Sequence, residues 1–415
     1  MTQQQPSAAP QHATSPRVSR RFAHFGQSVF ARYTALAAQY NAINLSQGFP
    51  DFDGPEVAKL AAKAAIDAGH NQYAPMAGVK PVRDAIAGMW HDAGKFAIDP
   101  DTWITVTCGC SEAIGCTMAG LLNPEDEVII FQPYFDFYEA GVAWAGCGAR
   151  FVTLHAPRSA GEPFTFDVAE LERAITPRTR AILLNTPHNP TGKVFTRSEL
   201  EAIARLCIAH DLVCISDEVY EHLLLPGPDG APPPPHISIA TLPGMQHRTI
   251  TLSSLGKSFS LTGWKVGWAI APPHLGAAVR AAHQFMTFSG STPMQHGAVA
   301  VLRDAAALAQ PLVSLFARNR DVLSAALARA GFVPLRSDST YFLMADHSAL
   351  SARQGLADDE ALCQWLTRDV GVAAIPPSVF YADKHLGRSL VRFAFCKKQS
   401  TIDAACERLA KLAAR

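Results

Sequence analysis

The stretch Thr249–Ala271 (TITLSSLGKSFSLTGWKVGWAIA) sets two lysines, Lys257 and Lys265, in a polar segment between two apolar runs. Ser254, Gly256 and Gly263 punctuate that segment. A lysine behind a glycine, just past a buried strand, can be desolvated, lose its proton and attack a carbonyl to form a Schiff base. The second lysine is suited to pair with a phosphate. Two solvated loop lysines are the plainer alternative, and the rest of the chain decides between the two.

Other reactive side chains also follow apolar runs. After Trp103–Thr107 come Cys108, Gly109, Cys110, Ser111 and Glu112, opening a helix predicted over Ser111–Leu121. A glycine and a hydroxyl at such a turn present N–H groups and a positive helix end to an anion, or simply an N-cap at Ser111. After Glu127–Phe131 comes QPYFDFY, where Phe135 can stack on a flat heterocycle or pack in a core. After Ala181–Asn185 comes TPHNPTG, a rigid turn that presents the Asn189 amide; His188 reads as a packed turn residue. After Leu212–Ser216 come Asp217 and Tyr220. A buried carboxylate is costly unless paired, and a protonated ring nitrogen is one such partner; a salt bridge or helix cap is another. Arg392, within Val391–Phe395, has a planar fork that matches a carboxylate, either a ligand's or an internal one. The set together is what pyridoxal phosphate and an amino acid require.

The elements that must position these groups alternate. Seven short apolar runs read as strands: Trp103–Thr107, Glu127–Phe131, Arg150–Leu154, Ala181–Asn185, Leu212–Ser216, Thr249–Leu252 and Val266–Ile270. Helical patterns such as Val168–Ile175 and Arg197–His210 separate many of them. The expected fold is α/β, a mostly parallel seven-stranded sheet with helices on both faces and ligands beyond the carboxyl ends of the strands. After about residue 300 the texture changes to helix over Val299–Ala330, strand over Thr340–Ala345, helix over Asp359–Val370, strand over Val391–Phe395 and helix over Thr401–Ala413. This predicts a smaller α+β domain. The expected division is a disordered tail at 1–16, an N-terminal arm at 17–55 contributing to the small domain, a large domain at 56–300 and the small domain at 301–415.

The chain of 415 residues is 48% hydrophobic and 17% charged, with formal net charge zero. Nothing in that balance asks for nucleic acid or a membrane surface. Nine cysteines lie mostly in apolar runs without metal-ligand spacing, so no metal is expected and a reducing compartment is. No acidic residue precedes Asp51, as in transit peptides, but prolines at 6, 10 and 16 oppose an amphipathic targeting helix. The expected location is the cytoplasm.

The stretches NLSQGFPDFDGP, QYAPMAG, VTCGCSEA, QPYFDFY, NTPHNPTGKVF, SDEVYEHL, SSLGKSFSLTGWKVG, TYFLMAD, GVAAIPPSVF and VRFAF span the chain from about residue 17 onward. In them it resembles class I aminotransferases of fold type I, most closely the methionine and kynurenine–oxoglutarate aminotransferase branch. The resemblance implies that Lys257 forms the Schiff base with pyridoxal 5'-phosphate and moves the Cα proton. It implies that Asp217 pairs with the ring nitrogen, that Tyr220 and Asn189 bond the ring's phenolate oxygen, and that Phe135 stacks on the ring. Gly109, Cys110, Ser111, Ser254 and Lys265 would hold the phosphate, with Tyr73 reaching it from the other subunit of a homodimer. Arg392 would bind the substrate α-carboxylate, with Gly48 and Asn189 nearby.

Many relatives carry Trp where Phe135 stands and Arg where Lys265 stands. Dicarboxylate-specific relatives place an arginine in the region of His283–Ser289, which here has none. The expected donors are therefore apolar, sulfur-containing or aromatic amino acids (methionine, phenylalanine, kynurenine or glutamine type), with a 2-oxo acid as acceptor. β-Elimination from cysteine S-conjugates at the same site is the alternative outcome. A non-catalytic effector-binding domain of this fold is the third reading. Retention of Lys257, Asp217 and Arg392, without a helix-turn-helix pattern, opposes it.

Overall fold

Seven strands form one sheet, in the spatial order Ile104–Thr107, Gly267–Ile270, Thr249–Ser254, Val213–Asp217, Thr179–Asn185, Glu127–Gln132 and Gly148–Thr153. In this computed structural model the described residues are 19–412, apart from 24, 158 and 160; the expected tail at 1–16 lies outside them. Neighbours from Thr249–Ser254 to Gly148–Thr153 are parallel. Gly267–Ile270 alone is antiparallel to both its neighbours. A parallel return needs a crossover of a dozen or more residues, usually through a helix across the sheet face. The segment from Leu255 to Val266 instead folds locally, as a single helical turn at Leu255–Ser258 and a 3-10 turn at Thr262–Trp264, and re-enters beside the strand it left.

The central strands are buried along their length, and Gly148–Thr153 is the half-exposed edge. Side chains alternate between faces with a period of two. Val128, Ile130, Leu183, Ile215 and Ile250 point toward the helices Cys110–Leu121, Phe137–Ala145 and Pro273–Met286. Ile129, Phe131, Ile182, Leu184 and Cys214 point toward Val168–Ala174 and Arg197–Ala209. A mainly parallel sheet between two helical layers is the expected α/β arrangement.

A separate apolar cluster joins the two ends of the chain. Tyr33 and Leu45 pack with Phe316, Leu323, Phe342, Leu362, Phe393 and Ile402. It surrounds a small antiparallel sheet of Leu390–Ala394, Phe342–Asp346 and Val333–Pro334, and the parallel pair Ile43–Asn44 and Val372–Ala373. Helices Ala305–Arg329 and Gln399–Ala410 cover it.

The helix expected over Val299–Ala330 is two helices, Thr292–Leu302 and Ala305–Arg329, meeting at 81°. Val299 and Leu302 pack with Trp90 and Trp268 beside the large sheet, whereas Phe316 and Leu323 belong to the second cluster. The bend at Arg303–Asp304 passes the chain from one core to the other. The helix expected over Asp359–Val370 is α-helical to Trp365 and then turns as a π-helix to Val370, stopped by Gly371 at φ 82. No single helix among the described residues is long and apolar enough to cross a membrane.

Candidate active site

A cavity of about 390 Å³ opens at the carboxyl ends of the parallel strands and is closed from above by residues of the second cluster. It brings together every predicted site residue except Tyr73. Its lining includes Gly109, Cys110, Ser111, Ser254 and Lys265, then Asp217, Tyr220, Lys257 and Phe135, and also Gly48, Asn189 and Arg392; Lys265 lies against Gly109, Cys110 against Asp217, and Arg392 against Asn189. Tyr73 is 85% exposed outside the cavity, edge-on to Phe288 at 5.7 Å.

Asp217 is the last residue of its strand and is 4% exposed. Its carboxylate accepts hydrogen bonds from Tyr138 Oη at 2.7 Å and Val219 N at 3.3 Å, with Cys110 Sγ at 3.7 Å. All three donors are neutral. Burial therefore raises the Asp217 pKa, and the hydrogen bonds and the Lys257 charge only partly offset this. A cation in the cavity would repair the imbalance.

Lys257 sits in the turn Leu255–Ser258, directly after the buried strand Thr249–Ser254. Burial lowers its pKa, and the nearby Lys265 and Arg392 charges push the same way; Cys396 and Asp217 oppose them. The amine is thereby biased toward its neutral, nucleophilic form. Lys265 lies at the cavity rim at φ 53, a left-handed conformation rare for a residue with a side chain.

The expected cap at Ser111 is not what forms. The helix starts at Cys110, with Gly109 at the cap position at φ 79. Only a glycine takes that angle without strain, so Cys110 and Ser111 become the first helical residues. Their N–H groups have no intrahelical acceptor and lie at the positive helix end. A Cβ on Gly109 would stand 3.2 Å from Lys265 Nζ, so the lysine lies directly over this turn. Helix start and ammonium together make a cradle for an anion.

Arg392 is 1% exposed. Its guanidinium lies 4.2 Å from the Phe342 ring centre and 4.9 Å from that of Phe380. Nη1 donates to Asn189 Oδ1 at 3.2 Å and Nη2 to Ser46 O at 3.1 Å, while buried Nε has no partner. Burial pulls its pKa down to about 10. A buried guanidinium held by neutral oxygens, with donors to spare, fits an arriving carboxylate. Asn189 N donates to Asn185 Oδ1, and Asn185 Nδ2 donates to the Asp217 carbonyl, so one polar chain links Arg392 to Asp217.

Several contributors were not singled out from sequence. Tyr138 stands in the quoted QPYFDFY motif, in the first turn of the helix Phe137–Ala145, and its place three residues after Phe135 was the available signal. Ser46, Asn185, Phe342 and Phe380 come from four separate segments, and no spacing rule links them. His188 is a packed turn residue, as expected: its Nδ1 meets Thr191 Oγ1 at 2.8 Å, and burial lowers its pKa to about 3. The segment His283–Ser289, read for its lack of arginine, does not line this chain's cavity.

This is the fold of a fold type I aminotransferase. The family model for aminotransferase class I and II matches residues 40–409. A probable N-succinyldiaminopimelate aminotransferase of Mycobacterium tuberculosis is 43% identical over 95% of this chain and 98% of its own. The methionine aminotransferase of Escherichia coli is 40% identical over 93% and 96%. The human kynurenine–oxoglutarate transaminase 1 is 36% identical over 95% and 97%. The solved structure of the Mycobacterium tuberculosis N-succinyldiaminopimelate aminotransferase superposes with a TM-score of 0.89 at 42% identity, covering 95% of this chain and 100% of that one. The chain belongs to the class I and II aminotransferases.

The enzyme is a pyridoxal-phosphate-dependent aminotransferase. The cavity fits that cofactor on three observations: an under-neutralised buried carboxylate, a desolvated lysine within the same cavity, and a helix start under an ammonium.

Proposed function

We propose that this enzyme transfers the amino group of an apolar, sulfur-containing or aromatic L-amino acid to a 2-oxo acid. The observation that carries the proposal is the setting of Arg392. Its spare donors offer one carboxylate a seat, and the adjoining walls are the Phe30 and Phe342 rings at 5.4 and 4.2 Å; the lining also holds Phe49 and Gln47, whose side-chain amide donates to Phe30 O and Thr34. Among the described lining residues, the remaining cations are Lys257 and Lys265. A second substrate carboxylate at those walls would lose its hydration unpaired.

Bound pyridoxal phosphate supplies a carbonyl for the amino group and an electron sink for the bond broken at the substrate Cα. Asp217 holds the ring nitrogen, and Tyr138 and the Val219 N–H hold Asp217. Tyr220 and Asn189 bond the ring's phenolate oxygen, and Phe135 packs on the ring face. Gly109, Cys110, Ser111, Ser254 and Lys265 hold the phosphate. Arg392 fixes the α-carboxylate, and Gly48 lets the arm approach: a Cβ there would stand 2.6 Å from Phe342 Cζ. Lys257 Nζ would take the proton from the substrate Cα, as the neutral amine its lowered pKa favours, and would deliver it to the carbonyl-derived carbon of the cofactor. The active unit is a homodimer in which Tyr73 reaches the partner's phosphate site. It works in the cytoplasm, in keeping with nine free cysteines.

The competing donor class comes from the relatives named for N-succinyldiaminopimelate, which carries further carboxylates. A steady-state panel separates the two. Methionine, phenylalanine and kynurenine should exceed aspartate in kcat/KM by about tenfold or more, since an unpaired buried charge costs at least ~1–3 kcal/mol. An enzyme that prefers aspartate or the succinylated substrate over all three would refute the donor assignment. Pyruvate and ammonia released from a cysteine S-conjugate would reveal β-elimination at the same site.

A further inference from the structure

Behind the anion cradle, outside the cavity, lies a second buried charged pair. Glu112 is in the first turn of the helix that starts the cradle, and His283 is in the helix Pro273–Met286. Their side chains are 9% and 0% exposed. His283 Nδ1 lies 2.7 Å from Glu112 Oε1, and His283 Nε2 lies 3.0 Å from the Met76 carbonyl. The same carboxylate accepts from Thr287 Oγ1 and from the backbone N–H of Cys108.

Counting donors assigns the protons. A neutral imidazole has one N–H and one acceptor nitrogen, yet both His283 nitrogens face oxygens that accept. The hydrogen bonds converging on both Glu112 oxygens hold that carboxyl in its ionised form, so the proton between it and His283 Nδ1 sits on the imidazole. The pair is an imidazolium with a carboxylate. Although burial pushes the Glu112 carboxyl up, the hydrogen bonds from His283, Thr287 and Cys108 hold it below its ordinary range. The other titratable neighbours do not offset either charge. Cys116 Sγ lies 3.7 Å from Glu112 Oε1, and burial keeps the Cys116 and Cys108 thiols protonated. Lys265 stands on the cavity side of the turn.

The two charges have different consequences for the cradle. Glu112 fixes the Cys108 N–H and so the turn that exposes the N–H groups of Cys110 and Ser111. An uncompensated carboxylate in that first turn would also compete with an incoming anion for the positive helix end. We propose that protonated His283 cancels the Glu112 charge, so that Glu112 shapes the phosphate cradle without repelling the phosphate, and that both are positioning residues for the cofactor. Through the Met76 carbonyl the pair also anchors the loop that carries Tyr73. This rests on the reading that the helix start takes the cofactor phosphate.

The test compares pyridoxal phosphate with pyridoxal, which lacks the phosphate, by their dissociation constants from the full-length chain. Wild type should prefer pyridoxal phosphate strongly; an equal affinity would refute the cradle reading itself. His283→Gln should raise the constant for pyridoxal phosphate by about tenfold and leave that for pyridoxal unchanged. The double variant Glu112→Gln with His283→Gln removes both charges and should restore phosphate discrimination to within about threefold of wild type. A purely structural role makes the double variant as poor as His283→Gln or worse, which would overturn the proposal. Should His283→Gln fail to fold, Glu112→Gln alone decides. The proposal requires it to keep phosphate discrimination, and loss of discrimination in a chain that melts like wild type would overturn it.

Discussion

Lys257 shows how one residue's placement becomes reactivity. Its pKa is lowered chiefly by burial, with Lys265 and Arg392 adding to the effect. In the cofactor-free chain this has a stability consequence with a definite sign. A lysine whose native pKa lies below its unfolded value, ~10.4, is protonated in the unfolded chain over a range where the native chain has released its proton. Stability from this group therefore rises as pH climbs through that range. Lys257→Met removes the cost, so the variant should melt higher than wild type near neutrality. The gap should close as pH approaches 10. A gap that widens with pH, in paired thermal melts of the two cofactor-free chains, would contradict the assignment. The types of the chemical residues were readable from the chain because Lys257, Asp217, Asn189, Phe135 and the Gly109–Ser111 turn each follow an apolar run and Arg392 interrupts one. Their supports were not. Tyr138 holds Asp217, and Ser46 holds Arg392, through contacts that exist only after distant segments meet.

The element that makes the site is the short connection between Thr249–Ser254 and Gly267–Ile270. It folds as two short helical turns rather than as a crossover helix, so the chain doubles back and places Lys257 and Lys265 on one cavity. Sequence patterning located both strands but not the opposed direction of the second, since buried strands of either direction show the same apolar run. The helix start at Cys110, in place of a cap at Ser111, is hidden from the sequence for a similar reason. A serine before a helix is an ordinary cap, and only the φ of Gly109 shows that the helix starts one residue earlier. The close approach of this turn to the last strand yields a prediction. A Cβ on Gly267 would stand 2.5 Å from Gly109 C and 2.6 Å from Cys110 N, both backbone atoms that cannot swing aside. Gly267→Ala should displace the cradle at a cost of ~1–3 kcal/mol and weaken pyridoxal phosphate binding about tenfold. Unchanged cofactor affinity by equilibrium dialysis would count against the cradle's location.

At the scale of the molecule, two cores face each other across the cavity: one around the seven-stranded sheet, the other built from both ends of the chain. The contrast between mostly alternating strands and helices and the mixed pattern after residue 300 pointed to an α/β sheet with a smaller α+β part. The 81° bend was not legible, since the apolar pattern runs on through Arg303–Asp304. The outer surface carries a patch that a lone chain leaves open, with Tyr73 85%, Phe285 86% and Phe288 44% exposed. In the proposed homodimer this patch is covered and Tyr73 acts in the other subunit. Complementation follows from that geometry. Chains carrying Lys257→Ala and chains carrying Tyr73→Ala, unfolded and refolded together in equal amounts, give half mixed dimers with one intact site each, hence about a quarter of wild-type activity. Mixed samples no more active than the Tyr73→Ala chains alone would refute the shared site. The central claim, that Lys257 holds pyridoxal phosphate covalently in this cavity, is tested most directly by borohydride reduction of the loaded enzyme followed by peptide mass spectrometry. The account predicts the phosphopyridoxyl mass on Lys257 and none on Lys265; the label on Lys265, or on neither lysine, would contradict it.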